Sequence, residues 1–244
     1  KKMMLPEPES NILYFLEKNS PNLEIWEREI LRIVRKVSQY FYPQMLTKIS
    51  NEGFASISHY NILDQLNVTG QINSGSMFEF LRSHTGVVQQ PAWDHKWYSG
   101  FNPYYVGFSI YNDLKRMCEN PTEEDKQWFP YIAGGNWNEV YKDAVENYKD
   151  DSFVQQFLSP KVMRDMRLFQ LVYDKNVDSR NFTIKDIHDD EGYREVRRSF
   201  AKGSDLNRML PQINVNDVDL DGDRTLRLGH KRIDGVDIDV GSAQ

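Results

Sequence analysis

The sequence predicts a mainly α protein: a multi-helical body followed by a small α+β C-terminal module with a β-hairpin. Three observations carry this. Apolar residues recur at three- and four-residue spacing through most of the first two thirds, the period of a helix packed on one face. Composition changes near Val177, after which short alternating runs replace the helical pattern. Asp221-Gly222 joins two such runs, a strong local hairpin signal. The chain therefore divides into a helical body at 1–177 and an α+β module at 178–244.

Taken in order, Leu23, Trp26, Ile30, Ile33, Val34, Val37 and Phe41 share one face of a helix over Asn22–Tyr42, and Pro43 is expected to end it. Along it charge runs from Glu24, Glu27 and Glu29 to Arg32, Arg35 and Lys36, the order a helix dipole favours. A second helix is read from Asn51 to about Leu66. Ser76-Met-Phe-Glu79 has the pattern of a capping box opening a short helix through about Ser83. Asn102-Pro103 supplies a cap and a first-turn proline for Tyr104–Glu119, with Val106, Ile110, Leu114 and Met117 on one stripe. Thr122, Asn136 and Ser159-Pro160 open helices near 122–129, 137–149 and 160–173. The Gly-, Pro- and aromatic-rich stretch from Gly86 to Pro103 reads as irregular. Beyond Val177, Phe182–His188 alternates like a strand and Asp190–Ala201 is a charged helix. Gln212–Leu220 and Arg224–Lys231 form the hairpin, and Asp234-Gly235 predicts a last strand at Val236–Val240.

Composition excludes several function classes. With 244 residues, 39% hydrophobic and 13% aromatic, the chain can bury a core and is no disordered tail. A net charge of −6 argues against nucleic acid, whose phosphates need a basic surface. Cys118 is the only cysteine, which excludes an internal disulfide and a Cys-rich zinc site. No apolar run approaches the roughly 20 residues of a membrane span, and Lys-Lys-Met-Met lacks a signal-peptide core. The expectation is a cytoplasmic protein in a reducing compartment, with no membrane partner.

Candidate motifs mostly have plain structural readings. Asp217-Val-Asp219-Leu-Asp221-Gly222 opens like a calcium loop, but Leu228 stands where a bidentate glutamate belongs, so the hairpin is preferred. Ala133-Gly134-Gly135-Asn136 lacks the Lys-Ser/Thr of a phosphate loop and reads as a capping turn. Asp189-Asp190-Glu191 beside His188 is the acidic start of a helix. His84, His95 and His230 are isolated and read as structural. Glu52 and His59 differ: seven residues apart on one helix, they share a face, with small Ala55 and Ser56 between them. A glutamate and a histidine on one face are metal-site geometry when a second helix adds ligands. A Glu–His pair in a helix seam is the structural alternative.

The chain resembles the SpoVR family (stage V sporulation protein R-like) from about Ser10 to Ile238. The resemblance rests on Trp26-Glu-Arg-Glu-Ile-Leu-Arg-Ile-Val-Arg-Lys36, Tyr40-Phe-Tyr-Pro-Gln44, Asn51-Glu-Gly53 and Glu79-Phe-Leu81. It continues through Tyr98-Ser-Gly100, Asn102-Pro-Tyr104, Pro121-Thr-Glu-Glu-Asp125, Trp128-Phe-Pro130, Ser159-Pro-Lys161, Met163-Arg-Asp165, Ile187-His188 and Gly192-Tyr-Arg194. It implies correspondence to the C-terminal half of the family's length, the other half carrying a histidine-rich segment. It implies no defined biochemical activity. It does imply links to spore cortex formation, or to a stress response with a PrkA-type serine kinase and a von Willebrand A-like protein.

Asn51-Glu-Gly-Phe-Ala55 alone is similar to the third-ligand helix of gluzincin metallopeptidases, where the glutamate completes a zinc site. The sequence departs from that pattern: it has no His-Glu-x-x-His, no histidine precedes His59, and His59 stands where an acid is usual. Two functions follow. In one, Glu52 and His59 are metal ligands of a degenerate, zincin-like hydrolase half-site whose zinc is held mainly by residues outside this chain. Two ligands seldom fill a zinc shell, so this chain alone is expected to be metal-free. Both side chains are then expected in one polar cleft. In the other, the chain is a non-enzymatic interaction protein that docks the kinase. The aromatic stretch of Trp93, Trp97, Tyr98, Phe101, Tyr104 and Tyr105 is a candidate docking surface. Whether the protein is an enzyme stays open at this point, and a homo-oligomer is a further expectation.

Overall fold

The computed structural model describes residues 3–9, 11–92, 95–168, 171–173, 182–184, 189–219, 222 and 225–232. In chain order its elements are β1 (Met3–Glu9), α1 (Ile12–Asn19), α2 (Ile25–Met45), α3 (Lys48–Val68), α4 (Ser74–Val87) and α5 (Pro103–Glu119). Then come α6 (Glu123–Trp128), α7 (Trp137–Asn147), α8 (Asp150–Phe157), α9 (Pro160–Asp165), β2 (Leu171–Tyr173) and β3 (Phe182–Ile184). The last are α10 (Asp190–Gly203), α11 (Leu206–Met209), β4 (Gln212–Val218) and β5 (Leu226–Lys231). The mainly α class with a C-terminal hairpin is as the sequence predicts. Two compact units form, one of Lys1–Leu46 with Asp205–Gln244, the other of Thr47–Ser204. This division differs from the one read at 177/178, a boundary outside the described residues.

In the first unit β1, β4 and β5 make an antiparallel sheet in that order, with Val215 opposite Leu228 and Met3 opposite Val218. The sequence reading missed β1, whose Pro6 and Pro8 suit an edge strand because proline donates nothing to a ladder. It also missed α1, capped by Asn11, whose side chain accepts from the Tyr14 N–H at 2.9 Å. Phe15 of α1 is buried with Val215 and Val218, a small core between helix and sheet. The Asp-Gly hairpin stands, although Asp221 and Asp223 lie outside the described residues, as does the strand expected at Val236–Val240.

In the second unit α5 is the central helix. Val106, Ile110, Leu114 and Met117 are buried as their spacing predicts, packed with Ile57, Phe153, Leu158 and Met163. Each such side chain stabilises the fold by about 1.5–3 kcal/mol. The expected caps at Asn102, Thr122, Asn136 and Ser159 all accept hydrogen bonds from first-turn amides. Helix α3 lies against α5 so closely that their backbones touch at Gly53 and Gly107.

Several boundaries differ from the sequence reading for local reasons. Helix α2 runs through Pro43, because a proline so near the C-terminus removes a donor with little helix left to break. Helix α4 is capped by Asn73, not Ser76, and runs four residues beyond Ser83. Helix α9 stops at Asp165, short of the expected 173. Arg167 adopts φ +54°, and the Leu168 N–H reaches back to the Met163 carbonyl at 2.9 Å, which closes the helix end. Helix α8 was not anticipated.

Candidate functional site

The two residues singled out from sequence both lie on α3, two turns apart. Glu52 is half-buried and lies beside the Tyr104 phenol at the start of α5. The neighbouring carboxylate, and then burial, raise the pKa of that phenol. His59 is exposed, its ring edge-on to Phe80 of α4 at 4.8 Å. Next to it, burial and then the proximity of His59 lower the pKa of His84, whose ring stacks among Tyr60, Phe80 and Phe108. The structure therefore gives Glu52 and His59 separate aromatic partners, where the sequence led to one polar cleft. Two turns of α3 are enough to carry the face from α5 to α4. Among the described residues no three His, Cys, Asp or Glu side chains gather closely enough to hold a metal ion. These residues alone do not fit a zinc centre.

Other charged groups of this unit are tied into the fold. Arg116 grips Asp125 with two bonds of 2.7 and 2.8 Å and reaches Asp113 at 2.7 Å, while the Ser159 hydroxyl donates to Asp113 at 2.6 Å. Burial pushes the Asp125 carboxyl upward. The bonds from Arg116 and from the hydroxyl and amide of Thr122 outweigh that and hold it at about 2. Asp150 of α8 accepts the Ile49 and Ser50 amides at 2.9 and 3.0 Å, capping α3 from a hundred residues away. Asp189 caps α10, Asp190 accepts from Gln127 and Glu191 pairs with Arg198, so this acidic run is structural; His188 lies outside the described residues. Arg197 is buried over Trp128 and Phe129, and its Nε and Nη2 find no hydrogen-bond partner among the described residues.

The aromatic stretch divides between sealing and exposure. Phe101 packs on Phe200 of α10 and on Tyr98, and Tyr105 packs on the core. Trp97 is exposed, with the Lys96 ammonium 5.1 Å from its ring centre. Trp93 lies outside the described residues.

The feature sequence reasoning missed is an open groove of about 440 Å³ between α3 and α7. Phe54, Ile62, Trp137, Tyr141 and Val145 give it apolar walls, with Ser58, Asn61, Asn138, Lys142 and Glu146 as polar points. Lys115 braces one wall: its ammonium donates to Asn61 Oδ1 at 3.0 Å and sits 5.2 Å from the Trp137 ring centre. The signal was present as four-residue spacing, Phe54–Ser58–Ile62 on one helix and Trp137–Tyr141–Val145 on another. An apolar hollow with scattered polar points suits a bulky apolar side chain presented by another molecule.

The family described as "SpoVR like protein" matches residues 1–209. The chain is 53% identical over 223 residues to the "Uncharacterized protein YcgB" of Escherichia coli (strain K12), a match that takes in 91% of this chain and 43% of that protein. The chain thus spans less than half the length of the curated relative it matches. No solved structure matches. Among the described residues, no helix is long and apolar enough to cross a membrane.

Proposed function

Because the chain belongs to the SpoVR family, we propose that it is a docking module, in which the groove between α3 and α7 receives an apolar anchor from a partner protein. The observation that carries this is the groove itself, whose Trp137 and Ile62 are open to a partner, while elsewhere in the unit Asp125 and Asp150 are engaged in holding the fold. The partner we assign is the PrkA-type serine kinase implied by the family resemblance, in a cytoplasmic setting tied to sporulation or stress response. Aromatic anchors seated in such hollows dominate interface energetics. The second reading is a degenerate zincin-like half-site with Glu52 and His59 as ligands. It requires further ligands from outside this chain, and no geometry here favours it.

Binding of the kinase to this chain, measured by calorimetry, tests the proposal. Trp137→Ala and the exposed Ile62→Asp are each expected to weaken binding at least about tenfold, the scale of an interface hot spot. Kinase binding unchanged by both substitutions overturns the groove as the docking site. A full-length relative that holds one metal per chain and loses it on Glu52→Gln restores the half-site reading in its place.

A further inference from the structure

Helix α2 is built the wrong way round for a helix that serves only its own unit. Toward α1 it turns polar side chains: Arg28 donates to the Glu17 and Ser20 carbonyls, and Arg35 donates to the Glu17 carboxylate at 3.0 and 3.1 Å. The opposite face is apolar, and no residue of α2 is buried. Trp26, Ile30, Ile33, Val37 and Tyr40 follow alternating spacings of four and three, the heptad spacing of a coiled-coil seam. Val34 and Phe41 widen the stripe. Each of these seven side chains is 45–68% exposed. Their open area comes to roughly 700–800 Å², close to the ~800 Å² per partner of a standard interface.

We propose that this face pairs with α2 of a second copy of the chain, antiparallel, about a two-fold axis near Ile33. Charge selects both the occupant and the direction. In the heptad frame Glu29 and Lys36 both fall at the g position, flanking the seam. Reversing the partner about that axis sets Glu29 opposite the partner's Lys36, and Lys36 opposite the partner's Glu29. A parallel pair sets them opposite Val34 and Phe41, with no charge to meet. Self-complementarity of this kind is what an isologous two-fold interface requires. The helix is about 31 Å long at 1.5 Å per residue, which accommodates the whole stripe.

The test is the oligomeric state of the 244-residue chain by light scattering and sedimentation equilibrium. A mass twice the 28.7 kDa of the chain is expected, falling to 28.7 kDa for Ile33→Asp with an unchanged circular dichroism spectrum. Glu29→Lys is expected to weaken the dimer about tenfold, and adding Lys36→Glu to restore it, since each flanking charge is met twice. Under oxidation, Trp26→Cys chains should cross-link with Tyr40→Cys chains and not with themselves. A monomer at every concentration, as when the face is covered by some other protein, overturns the proposal. So does a dimer indifferent to Ile33→Asp, or one in which Trp26→Cys cross-links to itself.

Discussion

Replacing Gly53 by alanine inserts one methyl group between two helix backbones. A Cβ there would fall inside 3.0 Å of both the Cα and the carbonyl carbon of Gly107 and 2.9 Å from its oxygen, distances real Cβ atoms essentially never show. Neither neighbour is a side chain that could swing away. Helices α3 and α5 would have to separate by about 1 Å to reach ordinary carbon–carbon contact, and a gap of that size forfeits a quarter to a half of the dispersion well along the seam. The buried side chains that line it include Ile57, Ile110 and Tyr111. Overpacking of this kind costs about 1–3 kcal/mol or somewhat more. Against it stands up to ~1 kcal/mol that alanine gains over glycine in a helix. The clash wins, leaving a net loss of about 2 kcal/mol and a Tm lowered by about 4–8 °C for a chain of this size. Gly86 in α4 is the control: a Cβ there meets nothing within 4 Å, so Gly86→Ala should stabilise by about 0.5 kcal/mol. Thermal melts and urea midpoints measure both. A Gly53→Ala protein as stable as its parent, beside a Gly86→Ala protein that behaves as expected, refutes the close-approach argument.

Two further perturbations read the polar framework of the same unit. Asp125 titrates at about 2 in the folded protein and near 3.9 when unfolded, so its contribution is present above pH ~4 and is lost as pH falls toward 2. Asp125→Asn should cost about 2–3 kcal/mol at neutral pH, the low end for a buried pair because Arg116 keeps Asp113. Its urea midpoint should also fall less than the parent's between pH 4 and pH 2; parallel pH profiles would contradict the assignment. Asp150→Ala strips the α3 amides of their acceptor and should cost about 1–3 kcal/mol, with Asp150→Asn, which keeps one acceptor, nearer the parent. Hydrogen exchange at Ile49 and Ser50 should accelerate before the rest of α3; uniform exchange along the helix would show that the cap lies elsewhere.

What the sequence made legible was local. Asn102, Thr122, Asn136 and Ser159 announce helix starts because a cap is a bond between residues two or three apart. The hairpin is legible for the same reason. The elements that were missed depend on distant partners. Helix α8 begins at Asp150, which looks like an ordinary surface acid until α3 brings the Ile49 and Ser50 amides to it. Strand β1 exists by pairing with β4, more than two hundred residues on. The end of α9 turns on Arg167 in a left-handed conformation, where a glycine would have been the visible signal.

The five residues that resembled a ligand helix show why chemistry is harder to read than folding. Asn51 donates its amide to the Thr47 hydroxyl at 2.8 Å, Glu52 lies beside the Tyr104 phenol, and Gly53 lets α5 approach. Phe54 packs edge-on against Tyr111 and Tyr141, and Ala55 is exposed. Each of the first four residues has a partner within the fold, and the fifth is open. A helix that must cross another at van der Waals distance needs a glycine flanked by residues that fill the space beside it. A ligand helix that must bring a carboxylate close to a metal needs much the same pattern. Five residues do not distinguish the two demands; the surroundings of the glutamate do, and in this chain its neighbour is a phenol.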